Sequence, residues 1–284
     1  MYYIYLEPKM ANNPLQQYFR QPKIFIKLPS AGVYCQPGNI QGDSNHMPVY
    51  GMTGMDEIIM KTPDALLTGE STVQVIASCC PSITNPWDLP TIDITIILAA
   101  IRIATFGNTI TLTVKCTGCE NSSEYEVDLN RIVEHYMACQ YEKSVVLKDL
   151  VIKLHPLTYK DSTAFNLRNF QLQQKLVQVD AMPDNDERKA LLKSIFEQLA
   201  DLQTDIIKSI VESIDIGDQI VSEKTWINEW LVNSDKSVFD AIKQQNQKNN
   251  ATWAVPPMPV VCEHCGKEDK VAVELDESNF FVQA

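Results

Sequence analysis

Residues 109–119 read Thr109-Ile110-Thr111-Leu112-Thr113-Val114-Lys115-Cys116-Thr117-Gly118-Cys119, an alternating run that ends in a Cys-x-x-Cys turn. Ile110, Leu112 and Val114 recur with period two, the pattern of a half-buried strand. Tyr125-Glu126-Val127-Asp128-Leu129 follows as a second alternating run, so strand, tight turn and strand is the expected unit. A second pair, Cys262-Glu263-His264-Cys265, lies 142 residues further on. At an offset of 146, Cys116 falls on Cys262, Cys119 on Cys265, Val127 on Val273, Asp128 on Glu274, Leu129 on Leu275 and Asn130 on Asp276. Each pair is also preceded by β-branched residues, Thr113-Val114 and Val260-Val261.

Two knuckles of this kind facing each other make a zinc ribbon. The two-residue gap lets both thiolates of a pair reach one ion, and two pairs complete a tetrahedron with Zn–S bonds of about 2.3 Å. Cys116, Cys119, Cys262 and Cys265 are therefore the expected ligands of a single Zn2+ ion. Four thiolates leave no open coordination position, which makes such a site structural and not catalytic. Reduced buried thiols and redox chemistry are the alternatives, since a lone Cys-x-x-Cys also serves in thiol exchange. His264 lies inside the second pair, but its counterpart in the first is Gly118, so it is expected at the surface. Cys79-Cys80 precedes Pro81 at a helix end and is expected as buried thiols, with a strained vicinal disulfide as the alternative. Cys35 and Cys139 have no cysteine nearby in sequence and read as buried or free.

Working outward from the knuckles, the fold class is α+β: mainly helical, with a small β zinc ribbon formed by two distant Cys-x-x-Cys knuckles. Residues 1–50 form an extended arm rich in proline and aromatics, in which Lys23-Ile24-Phe25-Ile26-Lys27-Leu28 is the expected strand. Such an arm is ordered either by a neighbouring protein or by its own domain. Residues 51–132 form an N-terminal α/β core that ends in the first knuckle. Thr53 and Thr62-Pro63 mark helix starts there, and Gly69-Glu70-Ser71 opens a helix running to Cys79. An apolar helix from Ile92 to Phe106 stops at Gly107-Asn108. Its Asp93 and Arg102 sit on opposite faces at 100° per residue, so each needs its own partner if buried. Residues 133–257 form a helical insert: short strands in Val145–Leu157, then helices throughout from Thr158 to Asn249. Long helices are expected at 159–181 and 185–213, with a loop at Gly217-Asp218. Residues 258–284 carry the second knuckle and the strand that completes the ribbon.

The 284-residue chain holds 36 acidic and 24 basic side chains, a formal charge of −12. An acidic surface repels phosphate backbones, and the lysines are scattered, so no nucleic-acid partner is expected. A zinc-ribbon nucleic-acid-binding regulator is the lesser alternative, resting on Lys115, Lys267 and Lys270 near the knuckles. Ile92–Phe106 contains charge and is shorter than the roughly 20 residues of a bilayer span, so no membrane span is expected. Met1-Tyr2-Tyr3-Ile4-Tyr5-Leu6-Glu7 lacks the basic start of a secretory signal, which points to a soluble protein made in a cytoplasm. Gly-x-Ser-x-Gly, phosphate-binding glycine loops and His-Glu-x-x-His are absent, and His46, His135 and His155 have no second histidine at ligand spacing. The chain does not read as an enzyme, and no catalytic residue is assigned.

Several unusual strings occur in order: Met52-Thr53-Gly54-Met55-Asp56-Glu57, Lys61-Thr62-Pro63-Asp64-Ala65-Leu66-Leu67-Thr68-Gly69, and Asn85-Pro86-Trp87-Asp88-Leu89-Pro90. They are followed by Ala100-Ile101-Arg102-Ile103-Ala104-Thr105-Phe106-Gly107 and the first knuckle. Together they resemble a baseplate hub protein of T4-like contractile-tailed bacteriophages, in detail over about residues 28–130. The resemblance implies a non-enzymatic protein needed to build the tail hub, placed in the virion after assembly in the host cytoplasm. It implies a hetero-oligomer with other tail and baseplate hub proteins, the tape-measure protein among the candidates. A transient hub or tape-measure assembly chaperone, absent from the mature virion, is the alternative it leaves open.

Overall fold

The apolar run expected as a helix spans Thr91–Phe106 in the computed structural model, which describes residues 14–62 and 68–271. Labelled α3, this helix is buried around its whole circumference, with Ile96, Ile97 and Ile101 fully enclosed and Ala99 and Ala100 admitting close neighbours. Isoleucine is only a moderate helix former, so packing and not intrinsic propensity holds this segment helical. Gly107, at φ +95°, ends it.

Around α3 lie β1 (Ile24–Ile26), β2 (Met47–Val49), α1 (Gly54–Met60) and α2 (Glu70–Cys79). β1 and β2 pair antiparallel and drive Ile26, Leu28, Met47 and Val49 into the same core, so this stretch wraps onto its own chain. α1 starts at Thr53, whose side chain accepts from the Asp56 N–H while the Asp56 carboxylate accepts from the Thr53 N–H. Gly51 is required by proximity: a Cβ there would come within 2.8 Å of the Ala104 carbonyl oxygen of α3. Arg20 closes this corner, donating to the carbonyls of Gly51 and Ser78 at 2.6 Å each and ion-pairing with Asp56 at 3.5 Å.

After α3 come the hairpin β3 (Thr109–Lys115) and β4 (Ser122–Asp128), then α4 (Leu129–Ala138), β5 (Ser144–Leu147) and β6 (Leu150–Leu154). A long helical hairpin follows, α5 (Tyr159–Asp180) and α6 (Asp186–Ile210), capped by Thr158 and Asn185. Leu172 and Val179 in α5, and Ile195 and Leu202 in α6, are buried one heptad apart and mark a narrow seam. β7 (Val211–Ile216) and β8 (Gln219–Val221) complete an antiparallel sheet ordered β5-β6-β7-β8. Its inner residues Ile152, Leu154 and Ile214 form a second core with Ile210, Ile227 of α7 (Lys224–Asn233) and Ile242 of α8 (Lys236–Trp253). The second knuckle hairpin, β9 (Met258–Val261) and β10 (Glu268–Val271), ends the described chain. Among the described residues, no helix is long and apolar enough to cross a membrane.

The architecture is α+β, with corrections. The expectation of helices throughout from Thr158 to Asn249 fails at Val211–Ile216, which is strand. Ile210 and Ile214 fit a helical stripe, but a strand edge offered by β6 and the two-residue loop Gly217-Asp218, with Gly217 at φ +59°, select the hairpin. Leu129 begins α4 and does not extend the strand before it, because Asp128 caps the helix by accepting from the Asn130 N–H. The helix expected to start at Thr62-Pro63 falls, from Pro63 on, outside the described residues, as do the matched residues Val273, Glu274, Leu275 and Asp276.

Candidate metal centre

Two hairpins from distant parts of the chain meet at their turns. β3 and β4 pair from Thr109↔Asp128 to Lys115↔Ser122, leaving Cys116–Cys119 in the connection. β9 and β10 pair from Met258↔Val271 to Val261↔Glu268, leaving Cys262–Cys265. The two turns share one hydrogen-bond pattern. The Cys116 N–H donates to the Asn121 carbonyl at 2.9 Å, and the Glu120 N–H donates to the Cys116 carbonyl at 3.0 Å. Likewise the Cys262 N–H donates to the Lys267 carbonyl and the Gly266 N–H to the Cys262 carbonyl, both at 2.9 Å. The residue after the second cysteine is left-handed in each turn, Glu120 at φ +60° and Gly266 at φ +68°.

The four sulfurs lie within 4.8 Å of one another. Cys116 Sγ is 3.7 Å from Cys265 Sγ, and Cys119 Sγ is 3.6 Å from Cys262 Sγ. Disulfide sulfurs sit about 2.05 Å apart, and all eight cysteines are free thiols. A tetrahedron with metal–sulfur bonds of about 2.3 Å has edges of about 3.8 Å. The observed separations fit that figure, so the residues present suit a tetrahedral thiolate-bound ion.

The electrostatics fit too. The N–H groups of Gly118 and Cys119 lower the Cys116 thiol below its ordinary value, the Gly118 bond being 3.3 Å long. The N–H groups of Cys265 and His264 bring Cys262 down to about 6. The Lys267 N–H also pulls on Cys265, yet burial and the three neighbouring sulfurs outweigh it and push that thiol up to about 12. Four sulfurs this close cannot all ionise unaided, and a divalent cation among them removes the conflict.

Contacts around the sulfurs join the hairpins. Thr117 Oγ1 donates to Asp269 Oδ2 at 2.8 Å, Lys267 Nζ donates to Thr117 Oγ1, and the Tyr125 hydroxyl donates to the Val261 carbonyl at 3.1 Å. Gly118 is packed so closely that a Cβ would lie 2.9 Å from Lys267 Cδ. Sequence reading named the four sulfurs but missed this shell. Glu120 and Gly266 do obey the same 146-residue offset, a signal that was there to find.

The other candidates stand apart. His264 is exposed and outside the sulfur group. Cys79 and Cys80 are buried, and burial pushes both thiols up. Cys35 is half-buried, and Cys139 Sγ lies 3.3 Å from the Thr252 carbonyl. Asp93 and Arg102 are both buried, and each has its own neighbour. Asp93 accepts from the Ser30 N–H at 2.9 Å and from the Ser30 hydroxyl at 2.5 Å; burial, only partly offset by these bonds, lifts its pKa to about 6. The Arg102 guanidinium lies over the Phe106 ring at 4.4 Å.

The family model described as T4 bacteriophage base plate protein matches residues 52–282. No curated protein and no solved structure matches the chain.

Proposed function

This chain belongs to the T4 bacteriophage base plate protein family, and we propose that it is a non-enzymatic structural or assembly protein of the contractile tail's baseplate hub, stabilised by one Zn2+ ion. The observation that carries the tail role is the family match across 231 residues, which includes both cysteine pairs. A baseplate family points to contacts with other phage tail proteins and to a location in the tail. Hub identity rests on the resemblance over residues 28–130.

The zinc reading is supported by the sulfur spacing and the paired turns. Cys116, Cys119, Cys262 and Cys265 would hold the ion, and its chemistry is that of a cross-link between segments 142 residues apart. Tetrahedral thiolate sites take zinc or iron. Elemental analysis of protein purified without chelator separates these: one zinc per chain is expected, and a metal-free or iron-bearing product overturns the zinc assignment.

Purified virions test the tail role. Mass spectrometry with a reconstruction of the tail is expected to find ordered copies at the hub. Absence from virions, with loss of tails on gene deletion, would favour the transient assembly factor. Intact contractile tails after deletion would defeat both versions.

A further inference from the structure

Two close sulfur–sulfur approaches at the junction share no cysteine. Cys116 Sγ lies 3.7 Å from Cys265 Sγ and Cys119 Sγ lies 3.6 Å from Cys262 Sγ, so both pairs can react and leave no thiol over. Each pair spans the two hairpins, across 149 and 143 residues of chain. Disulfide sulfurs sit about 2.05 Å apart, so each pair has to close by about 1.6 Å. Side-chain rotation can supply that movement. Thr117 on Asp269 and Tyr125 on Val261 keep the hairpins together without help from the sulfurs. A bond inside the first turn would instead close across Thr117 and Gly118. That backbone is already tied by the Gly118 N–H on Cys116 Sγ at 3.3 Å and the Glu120 N–H on the Cys116 carbonyl at 3.0 Å. Access also singles out this group: Cys265 is exposed and Cys116 and Cys119 are half-buried, whereas Cys79 and Cys80 are fully enclosed.

We propose that the junction is a site of oxidative modification, at which two disulfides, Cys116–Cys265 and Cys119–Cys262, form between the hairpins and lock them covalently. The oxidant is a peroxide, a two-electron acceptor. The exposed Cys265 thiol attacks the O–O bond, becomes a sulfenic acid and releases one water. The Cys116 sulfur then attacks the sulfenic sulfur. The S–S bond forms, the S–O bond breaks, and the departing hydroxide leaves as a second water with the Cys116 proton. A second peroxide takes Cys119 and Cys262 through the same steps. Four thiols and two peroxides thus give two disulfides and four waters. With a divalent ion bound, the four thiolates draw four protons from solvent for the same four waters, and the ion leaves as a dication.

The modification changes what holds the second hairpin in place. In a reducing compartment the sulfurs stay thiols or metal ligands; in an oxidising one they become bonds that no chelator removes. The proposal rests on the sulfur spacing alone and holds with or without an ion in the site.

Disulfide mapping of the full wild-type chain tests this. Protein purified in reductant and then freed of it is treated with about two equivalents of hydrogen peroxide, blocked and digested with trypsin. Peptides 116–131 and 249–267 each carry one cysteine pair. They are expected as one linked species, four hydrogens lighter than the two reduced peptides together, on a chain that stays monomeric. Fragmentation is expected to place the bonds at Cys116–Cys265 and Cys119–Cys262. Reductant should restore the separate peptides. Unlinked peptides, each two hydrogens lighter, would mean pairing within the turns and overturn the proposal. So would bonds at Cys116–Cys262 and Cys119–Cys265, oxidation that runs to sulfinic acid, or links only between two chains. Metal content measured before the peroxide reads the zinc assignment separately, so either can fail without the other.

Discussion

In α3 eleven of sixteen side chains are buried, whereas in the four strands of the knuckle hairpins only Ser123 and Val127 are. The first region encloses apolar surface on all sides and is held by the loss of that surface from water. The second exposes most of both hairpins and is joined by four sulfurs and three polar contacts. Burial distributes its stabilisation over many small contacts, so one substitution weakens but does not abolish it. If those sulfurs hold an ion as proposed, the junction puts its stabilisation in one place and fails all at once.

The contrast is sharpest at the ligands. Cys119→Ser, or a strong chelator, is expected to take zinc from one per chain to none; structural zinc sites in peptides supply about 10–16 kcal/mol of apparent binding energy. Hydrogen exchange should then show residues 258–271 losing protection while α3 keeps its own. Parallel loss in both regions would mean that they unfold as one unit, and the contrast would collapse. Next in size is Ile97→Ala, in the middle of α3, expected to cost about 2–5 kcal/mol in urea unfolding with metal content unchanged.

Asp93 gives the buried region a pH signature. Its pKa rises from 3.8 to about 6 on folding, so the folded state holds the proton more tightly than the unfolded one. Stability should therefore fall as pH climbs from about 4 to about 6, by on the order of 2–3 kcal/mol. Asp93→Asn, followed by thermal melts across that range, should flatten the dependence and be the more stable protein at neutral pH. The smallest effects are at the turns and have opposite signs. Glu120→Gly relieves a left-handed side chain and should stabilise by up to about 1 kcal/mol, while Gly266→Ala should destabilise by a similar amount. Equal responses at both positions would show that the turns are not equivalent.

The legible parts of this molecule were those set by local spacing. A two-residue gap lets both sulfurs of one turn converge on a point, so the grouping of Cys116, Cys119, Cys262 and Cys265, which the structure brings within 4.8 Å, could be read without knowing how the chain returns. The α3 helix declared itself by its apolar run and Gly107. Val211–Ile216 did not, because Ile210 and Ile214 satisfy both periodicities and the edge of β6, 57 residues upstream, decided between them. Ser30 on Asp93 and Arg20 on Ser78 were illegible for the same reason, being separated by 63 and 58 residues. Only the folded path brings them together.

The distance between the two cysteine pairs also sets a timetable. Synthesis at roughly 5–20 residues per second places Cys262 about 7–30 s behind Cys119. Over that interval the first pair is, on the proposed metal reading, only half of a site, while the body around α3 gathers its buried core, the last member of which is Tyr159. Contacts of such long sequence separation form late. If the four cysteines hold an ion as proposed, its capture is the closing event of maturation, and a chain interrupted anywhere before Cys265 lacks the last of the four sulfurs.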